Sequence, residues 1–168
     1  MRLAVLAMLG SIMFLSKQVL EFLPNVELVS TLTMVYTLVY RRQALLPIFL
    51  FILMEGVLWG FVLWWFPYLY LWPILWGVTM LLPKTLSPKL QTPVYAAVCA
   101  LFGLAYGTLY APFQSVVFLH GHWEKTLAWI VAGLPWDAVH ALGNLALGLL
   151  IVPLVTQLRK LEAGLRRT

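Results

Sequence analysis

Charge is what this chain has least of. Lys, Arg, Asp and Glu together supply 10% of its 168 residues. A soluble domain of that size keeps most of its charged residues on a wet surface, and so few cannot clothe one. Cysteine is almost missing as well. The single Cys99 lies inside an apolar run, so an internal disulfide and a thiolate metal site are both excluded. It reads as a small packing residue. There is no phosphate-binding loop: the nearest approach, Gly121-His-Trp-Glu-Lys125-Thr126, lacks the spacing that lets glycine backbone cradle phosphates. His120 and His122 stand two apart without a third ligand at a zinc-type spacing, and they read as interfacial histidines. Internal repeats and low-complexity linkers are also missing, which makes residues 1–168 a single domain.

Apolar sequence fills the space. Hydrophobic residues make up 62% of the chain and the mean hydropathy is +0.92. A helical membrane span needs about 20 such residues. A closed barrel would need strands alternating apolar and polar residues; here the runs are continuous, as over residues 45–66. The expected architecture is therefore an all-α membrane protein with six transmembrane helices, at 3–20, 26–40, 44–65, 68–82, 93–118 and 135–157. The fourth is short and interrupted by Pro73. Residues 119–134 are expected to form an outer loop with a short interfacial helix around 123–131. The N-terminal apolar stretch after Arg2 reads as a first membrane helix, not a cleaved signal peptide, because no small-x-small site precedes the polar segment 16–21.

The pI near 9.6 does not point to nucleic acid, because the basic residues collect at span edges. Arg41 and Arg42 follow span two, Lys84 and Lys89 follow span four, Arg159, Lys160, Arg166 and Arg167 follow span six, and Arg2 precedes span one. The opposite gaps hold only Lys17 and Lys125. Positive charge stays on the cytoplasmic side during insertion, so both termini are expected inside and the outer gaps are 16–25, 66–68 and 120–134.

Four groups of residues have chemistry to offer. Asp137, His140 and Asn144 stand at i, i+3 and i+7 on one helix face. Pro135 suits the first turn of that helix, which puts Asp137 near the positive end of its dipole. The stripe either binds a ligand or fixes span six by interhelical hydrogen bonds. Glu55 falls near the middle of span three among apolar neighbours, and it has to be paired, protonated or solvated. It lines a cavity or bonds a neighbouring helix, and Gly56 and Gly60 leave room for that helix to approach. The aromatic block from Trp59 to Trp76 straddles an outer connection. Trp64, Trp65 and Tyr68 suit an interfacial belt, whereas Trp59, Tyr70 and Trp72 suit a wall for a flat ligand. In the outer segment after span one, Asn25 can cap span two and Glu27 falls in its first turn; the same segment could gate an outward cavity. Separately, Ala4, Ala7 and Ser11 share a face of span one with Gly10 beside it. Small residues at this spacing pack inside the protein or dock another membrane protein.

These features together resemble the substrate-binding S components of energy-coupling factor (ECF) vitamin transporters, and the resemblance spans the whole chain. The face Ala4, Ala7, Ser11 is similar to the alanine-rich first helix with which those proteins meet their coupling subunit. The segments Leu23-Pro24-Asn25-Val26-Glu27-Leu28 and Pro135 to Asn144 are similar to stretches of S components of unassigned substrate. The resemblance implies a bacterial cytoplasmic-membrane protein with six helices and both termini inside. It implies capture of a vitamin or related micronutrient in an outward-facing pocket. It also implies a membrane coupling subunit and two cytoplasmic ATPases as partners, with a toppling motion for delivery and no cofactor in this chain. The expected ligand is flat or heterocyclic, with donor groups facing Glu55 and Asp137. An alternative is an intramembrane metal-dependent or acid–base enzyme using Glu55, Asp137 and His140. A third is a scaffold whose polar groups only bind helices together.

Overall fold

A computed structural model describes residues 2–83 and 85–165. Lys84, Arg166 and Arg167, which entered the orientation argument, lie outside the described residues, as does the side chain of Arg2. Among the described residues the protein is all-helical: α1 (Arg2–Leu20), α2 (Val29–Tyr40), α3 (Leu45–Trp59), α4 (Tyr68–Leu81), α5 (Pro88–Phe118), α6 (Trp123–Gly148) and α7 (Ile151–Leu165), with short 3-10 turns at Arg41–Ala44 and Leu63–Trp65.

Four segments are long and apolar enough to cross a membrane: Leu3–Leu20, Val29–Trp59, Pro88–Phe118 and Trp123–Gly148. The second of these joins α2 to α3 through the 3-10 turn and is not one straight rod. The chain reverses there, as contacts at both ends show. The Tyr36 hydroxyl near the end of α2 donates to the Leu9 carbonyl in the middle of α1, while Gly10 packs on Pro47 near the start of α3. Lys17 and Gln18 near the end of α1 then reach Glu55 near the end of α3. So α1 and α3 pack directly side by side in one direction, and α2 runs back the opposite way. The reversal is held by Arg41, whose backbone sits at φ 55°. Its guanidinium donates to the Met80 carbonyl, and its own carbonyl accepts from Trp76 Nε1. Both bonds tie the turn to the end of α4.

The tightest contact joins α5 and α6, and glycine makes it possible. A Cβ on Gly103 would lie 2.9 Å from the His140 carbonyl and from the Asn144 amide, and one on Gly148 would lie 2.9 Å from the Ala96 backbone. Without large side chains at these positions the two backbones close on each other, which is how membrane helices gain packing energy when there is little hydrophobic drive between them. At the far end the hairpin is closed by Thr126 Oγ1 donating to Ser115 Oγ at 2.8 Å.

Three expected boundaries change. The sixth span does not begin at Pro135: α6 starts at Trp123 and runs through Pro135 unbroken. The outer loop 119–134 is therefore only a tight turn around His120 and Gly121, both at positive φ. Asp137 is consequently mid-helix, far from the positive end of the dipole. The same span divides after Gly148, and α7 continues to Leu165. Span three ends at Trp59, not at residue 65, because Gly60 adopts φ 89° and ψ 152°. Glu55 thus sits one turn from the end of α3 instead of at its middle. Gly56 leaves room not for a neighbouring helix but for Phe61 and Trp65, whose rings fold back over it. Trp65 Nε1 completes that fold by donating to the Ile52 carbonyl at 2.7 Å.

Candidate functional site

The segment between α1 and α2 carries one acid that organises its surroundings. Glu27 lies two residues before α2, not in its first turn, and its carboxylate caps the helix from there. Oε2 accepts from the Val29 backbone N–H at 3.2 Å; Oε1 accepts from the Ser30 N–H at 3.3 Å and from its hydroxyl at 2.8 Å. The first amides of any helix lack partners within it, and an anion at that end is favoured by the dipole. Asn25 makes no cap. It takes a left-handed backbone, φ 59°, a conformation asparagine tolerates better than most residues. That turn lays the Asn25 carbonyl and Val26 against Gly143 of α6, where an added Cβ would meet them at 3.3–3.5 Å.

Through Glu27 the segment also meets α6. His140 Nε2 lies 3.4 Å from Glu27 Oε1; with the carboxylate ionised, the imidazole N–H is the donor. His140 in turn presents its ring to Tyr106 of α5, with centroids 4.9 Å apart and edge to face. Behind them is a cluster of rings. Trp72 of α4 is tilted against Tyr106 at 6.1 Å, while Tyr68, one turn earlier on the same helix, meets Trp72 at 5.6 Å. Phe51 and Phe102 back this wall. Trp72 is 2% exposed, yet its indole Nε1 has no hydrogen-bond partner in the protein. A buried donor without an acceptor costs about 1–3 kcal/mol.

A cavity of about 290 Å³ opens among these groups. Tyr68, Trp72, Tyr106, His140 and Glu27 line it, together with the 23–26 segment and Lys17, Leu20 and Glu21 from the end of α1. Charge at its edge is ordered by an ion pair between a half-buried lysine and a buried acid. Lys17 Nζ lies 2.6 Å from Glu55 Oε2 and 6.0 Å from the centre of the Tyr68 ring. Gln18 Nε2 donates to the other Glu55 oxygen at 2.8 Å. Glu55 is fully buried, and these two contacts are the pairing that an acid at this place requires.

The cavity thus gathers Asn25, Glu27, Trp72 and His140 of the residues singled out in the sequence. Glu55 stands behind Lys17 and does not line it. Trp59 is 47% exposed on the outside of the bundle. The Tyr70 hydroxyl turns to the Leu109 carbonyl of α5. Asp137 and Asn144 share the buried face with His140 but point into the α5 interface: Asp137 Oδ1 accepts from the Gly107 N–H at 3.0 Å, and the Asn144 amide donates to the Cys99 carbonyl and to Ser30 Oγ. One oxygen of each, Asp137 Oδ2 and Asn144 Oδ1, is buried without a protein partner. Ala4 and Ala7 are exposed and Ser11 is half-buried, its hydroxyl bonded back to the Ala7 carbonyl. Gly10 alone of that group faces inward.

Sequence reading missed Lys17, Tyr68 and Tyr106 as lining residues. Tyr106 had a signal. It lies between Gly103 and Gly107, a Gly-x-x-x-Gly spacing that marks a close helix contact, and hence a side chain held at a helix–helix seam. Tyr68 looked like a belt residue because tyrosines near a span end usually are. Lys17 and Gln18 are the polar end of an apolar helix, and nothing in the spacing links them to Glu55, 38 positions away.

No protein family, curated protein or solved structure matches the chain.

Proposed function

We propose that this protein is the substrate-binding S component of an ECF-type importer. In this reading it has six membrane spans and both termini in the cytoplasm of a bacterium. The cavity under the 21–27 segment takes a vitamin-like molecule from outside, and a membrane coupling subunit with two cytoplasmic ATPases drives delivery. ATP hydrolysis belongs to those partners.

The observation that carries this reading is the cavity itself. It combines an aromatic wall, a carboxylate already fixed by backbone amides and an imidazole. Small-molecule sites have that make-up: apolar walls with a few placed polar groups. Its position also fits capture from outside. It lies at the end of the bundle formed by the α1–α2 connection, opposite the Arg41–Arg42 turn, and positive charge marks the cytoplasmic side. α2, α3 and α4 have 12, 15 and 14 residues, so each rises about 18–22 Å. The apolar 3-10 turn Leu63–Trp65 and the exposed rings around it extend the hydrophobic band at that end. The outward small-residue face at Ala4 and Ala7 supports docking of a coupling subunit on α1.

The test is purification in mild detergent from native membranes, with identification of everything retained. A membrane coupling protein together with two ATPases is expected. Retention of no ATPase, with uptake of no small molecule dependent on this chain, would overturn the assignment.

A further inference from the structure

The cavity's charge selects among ligands. Its lining carries Glu21 and Glu27 against one ammonium, that of Lys17. Lys17 is already committed to Glu55 at 2.6 Å. His140 also lines the wall, beside Glu27. With Lys17 balanced by Glu55, the lining acids Glu21 and Glu27 outnumber His140 even when the imidazole is protonated. In a concave, low-dielectric site such an imbalance is felt far more strongly than on an open surface.

The wall adds a second preference for positive charge. Tyr68, Trp72 and Tyr106 present ring faces and edges to one cavity, and the negative face of an aromatic ring attracts a cation. Lys17 already makes use of this, lying 6.0 Å from the Tyr68 centroid. The volume of about 290 Å³ is at the small end for organic ligands, which occupy sites of roughly 300–1,000 Å³.

Resting on the binding reading above, we infer that the cavity takes a small, flat organic cation. The cationic ring lies against Tyr68, Trp72 and Tyr106, and its charge is balanced by Glu27.

Three isosteric probes separate the possibilities: 1-methylnicotinamide (cation), nicotinamide (neutral) and nicotinate (anion), each titrated calorimetrically into the purified full chain. The cation is expected to bind about tenfold or more tightly than nicotinamide, with nicotinate weakest. Glu27→Gln retains a capping oxygen and is expected to lower affinity for the cation about tenfold while leaving nicotinamide unchanged. Glu21→Gln, at the exposed rim, serves as a second variant free of any capping role and is expected to lower affinity for the cation less. Equal or tighter binding of nicotinamide or nicotinate overturns the charge assignment and leaves the cavity a binding site. Binding of none of the three overturns the charge assignment and the binding reading together. Neither result depends on whether a coupling subunit exists.

Discussion

Glu27 and His140 meet at 3.4 Å across a gap of 113 positions, and the same carboxylate caps α2. One side chain therefore ties the α1–α2 segment, the start of α2 and the face of α6 into a single wall. Glu27→Ala removes both roles. We expect a stability loss of about 1 kcal/mol from the lost cap, read as a lower melting temperature in detergent. Ligand binding should fall much further than that loss accounts for. His140→Gln, which keeps a polar group at the wall without the imidazole, should preserve the melting temperature and weaken binding.

Trp72→Phe separates the ring from its N–H. The phenyl ring keeps an aromatic group among Phe51, Tyr68 and Tyr106 but fills less of the site, and the buried donor without an acceptor disappears. The smaller ring leaves a void at a fully buried position, so stability should fall by about 1–2 kcal/mol, less whatever the removed donor returns, while ligand affinity should change little because the N–H does not reach the cavity. Thermal unfolding and calorimetric titration on one preparation check both directions. A large loss of affinity would mean that the indole N–H does reach the ligand.

Lys17, half-buried, and Glu55, fully buried, form an ion pair. Lys17→Met strands the buried Glu55 and is expected to destabilise by about 3 kcal/mol; Glu55→Ala leaves a lysine that reaches the open cavity and is expected to cost less. The double variant Lys17→Met with Glu55→Met should recover most of that, because two apolar side chains can replace a buried pair at little cost. Melting temperatures of the four proteins complete the cycle. Additive losses would show that the two side chains do not act as a pair.

Gly107 and Gly103 set the distance between α5 and α6. Gly107→Ala places a methyl group against the Asp137 carboxyl group, and Gly103→Ala places one against the His140 backbone. Each should cost about 1–3 kcal/mol as overpacking. Gly103→Ala should also disturb binding, since it displaces the residue that lines the cavity. Gly133 and Gly164 have open space around them; alanine there should be neutral and serves as the control.

The contrast between what was and was not legible in the sequence follows from these contacts. Helicity and the apolar segments were legible because hydropathy is a local property. The shared face of Asp137, His140 and Asn144 was legible because helical periodicity is too, and all three are buried. Their division of labour was not: residues at i, i+3 and i+7 spread around part of a turn, so His140 reaches the cavity while Asp137 and Asn144 meet α5. Pro135 misled about where α6 begins. Proline fits a first turn well, but inside a membrane bundle a continuing helix accommodates it equally. The partner of Glu55 was not legible, because a requirement for charge compensation does not say which distant residue supplies it. Gly103 and Gly107 held the information about Tyr106, in a spacing that names a contact without naming the helix on the other side.

The most direct measurement of the central claim is native mass spectrometry of the chain released from native membranes, with Glu27→Gln in parallel. The wild-type protein is expected to carry one small organic molecule, lost on unfolding and depleted in the variant. A wild-type protein carrying only lipid and detergent, with nothing changed by Glu27→Gln, would contradict the claim that this cavity is a binding site.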